Sequence, residues 1–120
     1  MNLQVIAQGA SGAEGRVDAE KIDYVESDAN YVTLHVGDER YLARDTLKRL
    51  AVILGPLGFV RIERSLLVNL RRVAFAQRLD RGAFAFTLRN GQRLVSSRNY
   101  RKSILEGIRR GQSATALGAH

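Results

Sequence analysis

The sequence predicts a mainly β fold of many short strands with two short helices. Three observations carry that prediction. Apolar and polar residues alternate with period two through several separate runs. Turn residues punctuate those runs, with Asn90-Gly91 the strongest hairpin signal in the chain. Only two stretches carry apolar residues at helical spacing, and no strand-helix-strand rhythm supports a parallel nucleotide-binding sheet.

In chain order, Ile22 to Glu26 and Tyr31 to Val36 alternate as strands, with Asp28-Ala29-Asn30 as the turn between them. Gly37-Asp38-Glu39 reverses the chain into Arg40 to Arg44. Asp45 or Thr46 can then cap a helix, because a short side-chain oxygen there accepts from backbone N–H groups that the first turn leaves unpaired. Leu47, Leu50, Ala51 and Leu54 fall on one face of that helix, Lys48 and Arg49 point away, and Gly55-Pro56 ends it. Val60 and Ile62 alternate with Arg61 and Glu63 as in a half-buried strand. Ser65 next introduces Leu66, Leu67, Val68 and Leu70, a short turn-like apolar cluster that puts Arg64 on an exposed corner. Val73 to Arg78 alternates again, and Asp80-Arg81-Gly82 turns the chain. Phe84, Phe86 and Leu88 share one strand face up to Asn90-Gly91, and Gln92 to Ser96 returns. Ser97 can cap a final helix with Ile104, Leu105 and Ile108 inward and Arg101, Lys102, Arg109 and Arg110 outward.

With 120 residues, 45% of them hydrophobic, the chain can bury one modest core and has no room for two ordinary domains. Gln8 to Gly15 and Gly111 to His120 are rich in small residues, so residues 1–15 and 111–120 read as flexible ends around a folded part at 16–110. The absence of cysteine excludes disulfides, thiolate metal sites and cysteine nucleophiles, and fits a cytoplasmic setting. The longest apolar runs are far short of a membrane span, and Met1 to Gly15 lacks the basic and apolar regions of a signal peptide.

The net charge of +7 is unevenly spread. Residues 1–39 hold Arg16 and Lys21 against eight carboxylates, a balance of −6. Residues 40–120 hold 17 basic residues against Asp45, Glu63, Asp80 and Glu106, a balance of +13. Such a concentrated positive field favours a polyanion: nucleic acid first, an anionic membrane surface next, and a basic ribosomal or general surface as the plain alternative.

Catalysis is poorly supplied. His35 is the one histidine inside the folded part and sits mid-strand, as an ordinary surface histidine does; turn and cap roles account for Asp28, Asp38 and Asp45. The glycines fall in turns and tails, so no phosphate-cradling loop precedes a helix. No enzyme, cofactor or metal site is therefore expected. Binding chemistry is richer. The tip near Asp38 to Arg40, the corner at Glu63-Arg64-Ser65 and the junction Ser97-Arg98-Asn99 could face the same way. Arginine and asparagine match guanine and adenine edges, and Ser97, Lys48, Arg101 and Lys102 suit phosphate. A solvated helix face accounts for Arg101, Lys102, Arg109 and Arg110 more simply than a contact surface does. Phe84 and Phe86 read as core rather than as stacking platforms.

The order Tyr31-Val32-Thr33-Leu34, Asp45-Thr46-Leu47, Phe59-x-Arg61-Ile62-x-Arg64-Ser65-x-x-Val68-Asn69 and Ser97-Arg98-x-Tyr100 resembles the LytTR DNA-binding domain of bacterial response regulators, over roughly Arg16 to Arg110. The resemblance implies an elongated arrangement of small, mostly antiparallel sheets. It further implies double-stranded DNA as partner, met by loops inserted into successive major grooves of promoter direct repeats. Carried over by position, Arg64 and Arg98 become base-contacting candidates, the loop Asp38 to Arg40 a third contact, and Ser65 and Asn69 a structural pair that fixes the corner. The full candidate set is Arg40, Lys48, Arg61, Glu63, Arg64, Ser97, Arg98, Asn99, Arg101 and Lys102. Two departures stand out. Many relatives have a histidine where this chain has Glu63, which can read cytosine N4, pair with Arg61 or Arg64, or face solvent, with pairing the favoured expectation. The chain also carries no receiver domain, so an excised output domain and a short stand-alone regulator both fit, with an upstream receiver or sensor as partner and a homodimer on paired repeats. A protein–protein regulatory module and an RNA-binding protein are the rival readings.

Overall fold

A computed structural model describes residues 3–9 and 12–111; apart from Gly111, the expected C-terminal tail lies outside the described residues. Ten strands, β1 (Gln4–Gln8), β2 (Glu14–Asp18), β3 (Tyr24–Asp28), β4 (Tyr31–Val36), β5 (Glu39–Ala43), β6 (Phe59–Glu63), β7 (Leu66–Asn69), β8 (Val73–Arg78), β9 (Phe84–Leu88) and β10 (Arg93–Val95), accompany the helices α1 (Leu47–Leu54) and α2 (Arg101–Gly111). The strands form a seven-stranded sheet in the order β2-β1-β5-β4-β3-β7-β6 and a three-stranded sheet β10-β9-β8. Every strand pairing is antiparallel. The mainly β architecture is the one the sequence predicts, and the extents of 43 × 26 × 25 Å make it elongated.

The large sheet is covered on its two faces by different things. On one face Leu47, Leu50 and Leu54 of α1 pack with Val25, Val32, Leu34, Phe59 and Leu67. On the other, Tyr24, Val60, Ile62 and Val68 pack with Phe84, Phe86 and Leu88 of the small sheet and with Ile104 and Ile108 of α2. Strand β7 lies between β3 and β6, under both layers. That position explains its unbroken apolar run, since a strand buried on both faces loses the alternation that marks a half-buried one. Leu66 to Asn69 is therefore a strand, where the sequence suggests a turn-like cluster.

Strand β1 and the first two residues of β2 form inside the segment expected to be flexible. Ala7 and Val17 are buried on the α1 side of the sheet, and Gly9 N donates to Ala13 O at 3.1 Å where the two strands come together. Thr46 caps α1 by accepting from Arg49 N at 3.1 Å, and Asp45 holds the Arg49 guanidinium at 2.8 Å. Beyond Leu54 the chain tightens into a 3-10 turn over Gly55–Leu57, with Pro56 in its first turn, where a missing N–H costs nothing. The reversal comes only at Gly58, whose φ of 100° favours glycine. In β8 an extra residue between Val73 and Phe75 shifts the register, so Val73 and Ala76 are buried while Phe75 is 48% exposed. Helix α2 lies so close to β6 that a Cβ at Gly107 would collide with the Val60 side chain.

Candidate nucleic-acid interface

Strands β6 and β7 are joined by the two-residue turn Arg64-Ser65, with Glu63 opposite Leu66. Its backbone is braced from several directions. Ser65 N and Ser65 Oγ donate to Glu63 Oε1 at 3.1 and 3.3 Å. Arg61 Nη2 donates to the Arg64 carbonyl at 2.6 Å, and Ser27 N donates to the Ser65 carbonyl at 3.0 Å. One residue earlier, the register shift between Arg61 and Glu63 makes Ile62 a bulge, and the Ile62 carbonyl accepts from Ser97 N at 2.9 Å. The Arg64 side chain, by contrast, is exposed and makes no hydrogen bond or ion pair among the described residues. A fixed backbone carrying an uncommitted guanidinium suits recognition of a ligand outside the protein.

This geometry corrects two expectations, for Glu63 and Asn69, and gives Arg61 a bond. Glu63 pairs with neither Arg61 nor Arg64, because two Ser65 donors on the same turn occupy its carboxylate; an acid here serves the turn from inside. Arg61, half-buried, is turned back onto the Arg64 carbonyl with its Nε buried, so it holds the corner in place. Ser65 donates to the turn, and Asn69 lies at the far end of β7. There Nδ2 donates to Ile22 O at 2.9 Å and Oδ1 accepts from Arg71 N at 3.1 Å, so Asn69 fixes the chain leaving β7 and not the Arg64 corner.

The junction after β10 lies beside the corner. Ser96 is buried and exchanges two 2.8 Å bonds with Phe84, through Ser96 N to Phe84 O and Phe84 N to Ser96 Oγ. Ser97 then reaches Ile62 O, and its hydroxyl accepts from Asn99 N at 3.2 Å to cap a 3-10 turn over Arg98–Tyr100 that leads into α2. Arg98, Asn99, Arg101 and Lys102 are exposed.

Arg40 is placed elsewhere. The β4–β5 tip is held at the opposite end of β3 and β4, where Gly37 N donates to Asp23 Oδ2 at 2.8 Å. Together with Tyr24, His35, Asp38, Asn90 and Gln92, Arg40 lines a polar cleft against the β9–β10 turn. The loop brought to the Arg64 end is instead Ala29-Asn30. Tyr31 pairs with Asp28 and Glu26 with Leu66, so the β3–β4 turn stands beside the β6–β7 turn, two strand spacings or about 10 Å away. Asn30 is exposed at its tip, next to Ala29 with φ 56°. Its only sequence signal was a turn flanked by strands; the β3–β7 pairing that places it is non-local. The exposed Lys48 follows β5, which ends with Ala43 opposite Val32, so it stands at this same end.

Other polar groups are engaged internally. His35 stacks on Tyr24 with ring centroids 4.0 Å apart and meets Glu26 Oε1 at 3.1 Å. Burial pushes its pKa below the ordinary 6.5, against the raising pull of Glu26. The buried Asp23 binds Arg72 Nε at 3.1 Å. Among the described residues, no group of three acidic or histidine side chains could hold a metal, and no helix is long and apolar enough to cross a membrane.

The comparisons with known proteins bear on the family and the fold. Residues 15–109 match the family model of the LytTr DNA-binding domain. Among solved structures the chain is similar to the LytTr DNA-binding domain of a Bacillus cereus protein described as a methyl-accepting/DNA response regulator, with a TM-score of 0.78 at 19% identity, covering 88% of this chain and 95% of that one. At that identity the likeness speaks to the fold alone. A comparison with curated proteins gave no match. On the strength of the family match across most of its length, this chain belongs to the LytTR family of DNA-binding domains.

Proposed function

We propose that the chain binds double-stranded DNA in a sequence-dependent way and acts in bacterial transcription control. The observation that carries this is the row of turns at one end of the molecule, where Arg64 and Arg98 project uncommitted from backbones tied together by the Ile62–Ser97 bond. Each guanidinium can present two donors to guanine O6 and N7 in a major groove, and Asn30 and Asn99 can present the donor–acceptor pair that matches adenine. Lys48, Arg101 and Lys102 stand at the same end, where point charges can hold phosphates and set the register. Loops in place of a recognition helix, paired direct repeats occupied by two copies, an upstream receiver or sensor partner and a cytoplasmic location complete the proposal.

Competition between labelled duplex DNA and single-stranded RNA tests it. Duplex DNA is expected to bind more tightly, because the arginine and asparagine side chains on these turns match base edges in a major groove that single-stranded RNA does not form. Tighter binding to RNA, or no duplex binding at low salt, would overturn the proposal.

A further inference from the structure

The turn between β8 and β9 lies on the same end of the molecule and has no assigned role. Leu79 N donates to Ala83 O at 2.9 Å to close it, and Phe84, the next residue, is bonded to Ser96 beside the Ser97–Arg98 junction. Around it Arg78, Arg81 and Arg101 line an open depression with Leu79, Gly82 and Phe84. All three arginines are exposed, and among the described residues none makes an ion pair or side-chain hydrogen bond. Asp80 is the carboxylate of this turn, and it neutralises none of them within ion-pair distance. Three like charges brought together without counter-charges repel one another, so a polyanion that joins them relieves a tension the fold otherwise carries.

Two backbone features shape the turn beneath these side chains. Arg81 has φ 62° and ψ 27°, a left-handed conformation that a β-carbon makes costly and glycine would adopt freely. Such outliers collect where the displayed side chain matters. Gly82, with φ 83°, leaves its Cβ position open to the Arg101 stem: a Cβ there would lie 2.8 Å from Arg101 Cδ. The missing side chain at Gly82 thus lets Arg101 lie over the turn toward Arg78 and Arg81.

We infer that Arg78, Arg81 and Arg101 form a phosphate clamp, a further DNA contact that grips the backbone beyond the base-reading turns and carries no sequence preference. The inference rests on the proposed DNA binding. A free small anion would present the same phosphate chemistry, but the clamp continues the row of Asn30, Arg64 and Arg98, which favours a phosphodiester of the same duplex.

The test compares the parent chain with Arg81→Gly and Arg81→Lys on two labelled duplexes of about 30 base pairs, three helical turns. One duplex is selected by the parent from a random pool and the other is of mixed sequence, and both are titrated between about 50 and 200 mM salt. Arg81→Gly should weaken binding to both duplexes by a similar factor of about three to ten and flatten the slope of log K against log salt by about 1. It should melt at the same temperature as the parent or higher, since glycine takes this φ without strain. Arg81→Lys should keep most of the affinity. Unchanged affinity and slope in Arg81→Gly would overturn the clamp while leaving the DNA-binding proposal intact, and a loss confined to the selected duplex would make Arg81 a base reader and equally overturn it. Failure of the parent to bind either duplex would remove both. Saturable binding of inorganic phosphate to the parent, with duplex affinity unaltered in Arg81→Gly, would reassign the turn to a small anion.

Discussion

At the scale of single residues, the division between display and support is sharp. Arg64 and Arg98 make no side-chain hydrogen bond or ion pair among the described residues and sit on fixed backbones, whereas Arg61 and Glu63, two residues of the same strand, help to fix one of those backbones. Arg64→Ala and Arg98→Ala should each weaken binding to a preferred duplex by about 1 to 3 kcal/mol and affect a mixed-sequence duplex much less, as fluorescence titration would reveal. Arg40→Ala, at the far end, should leave both titrations unchanged. Arg61→Met removes the 2.6 Å bond to the Arg64 carbonyl and should reduce discrimination between the two duplexes more than it reduces affinity for mixed sequence. His35 adds a pH dependence. Burial lowers its pKa in the folded state below the 6.5 of the unfolded chain, so the unfolded chain takes up the proton first as pH falls. Its contribution to stability is whole above about pH 6.5 and declines as pH drops toward the folded pKa. Melting temperatures measured from pH 7.5 to pH 5 should fall less steeply in His35→Gln.

At the scale of elements, what the sequence made legible was local. Thr46 with Leu47, Leu50 and Leu54 marks α1, and Asn90-Gly91 marks the β9–β10 turn, because capping and turn chemistry act over a few residues. Strand β7 was misread because its two-sided burial depends on β3, some forty residues away in sequence, and on a second sheet that follows it. The same long-range pairing hid Asn30 and put Arg40 in the wrong place: local pattern finds hairpins but does not say at which end of a sheet each tip emerges. Glu63 was misassigned for a smaller reason, since charge suggested an arginine partner and the turn supplied two nearer donors. Where α2 crosses β6 the contact is close enough to test directly. Gly107→Ala should destabilise the domain by about 1 to 3 kcal/mol in denaturant unfolding, because neither Val60 nor the helix can yield without disturbing the core.

At the scale of the whole molecule, the proposed contact turns share one end. The β3–β4, β6–β7 and β8–β9 turns and the β10–α2 junction line it, while the β4–β5 and β9–β10 turns meet at the other. Binding should weaken steeply with salt, with the mixed-sequence duplex following the same slope as a preferred one to the extent that both share phosphate contacts. The central claim is that Arg64 and Arg98 read bases from this end. Selection of bound duplexes from a random pool, carried out in parallel with the parent chain, Arg64→Ala and Arg98→Ala, tests it most directly. The account predicts one enriched motif for the parent, with each variant losing preference at its own, different base position. No enrichment by the parent, or the same motif from all three proteins, would contradict it.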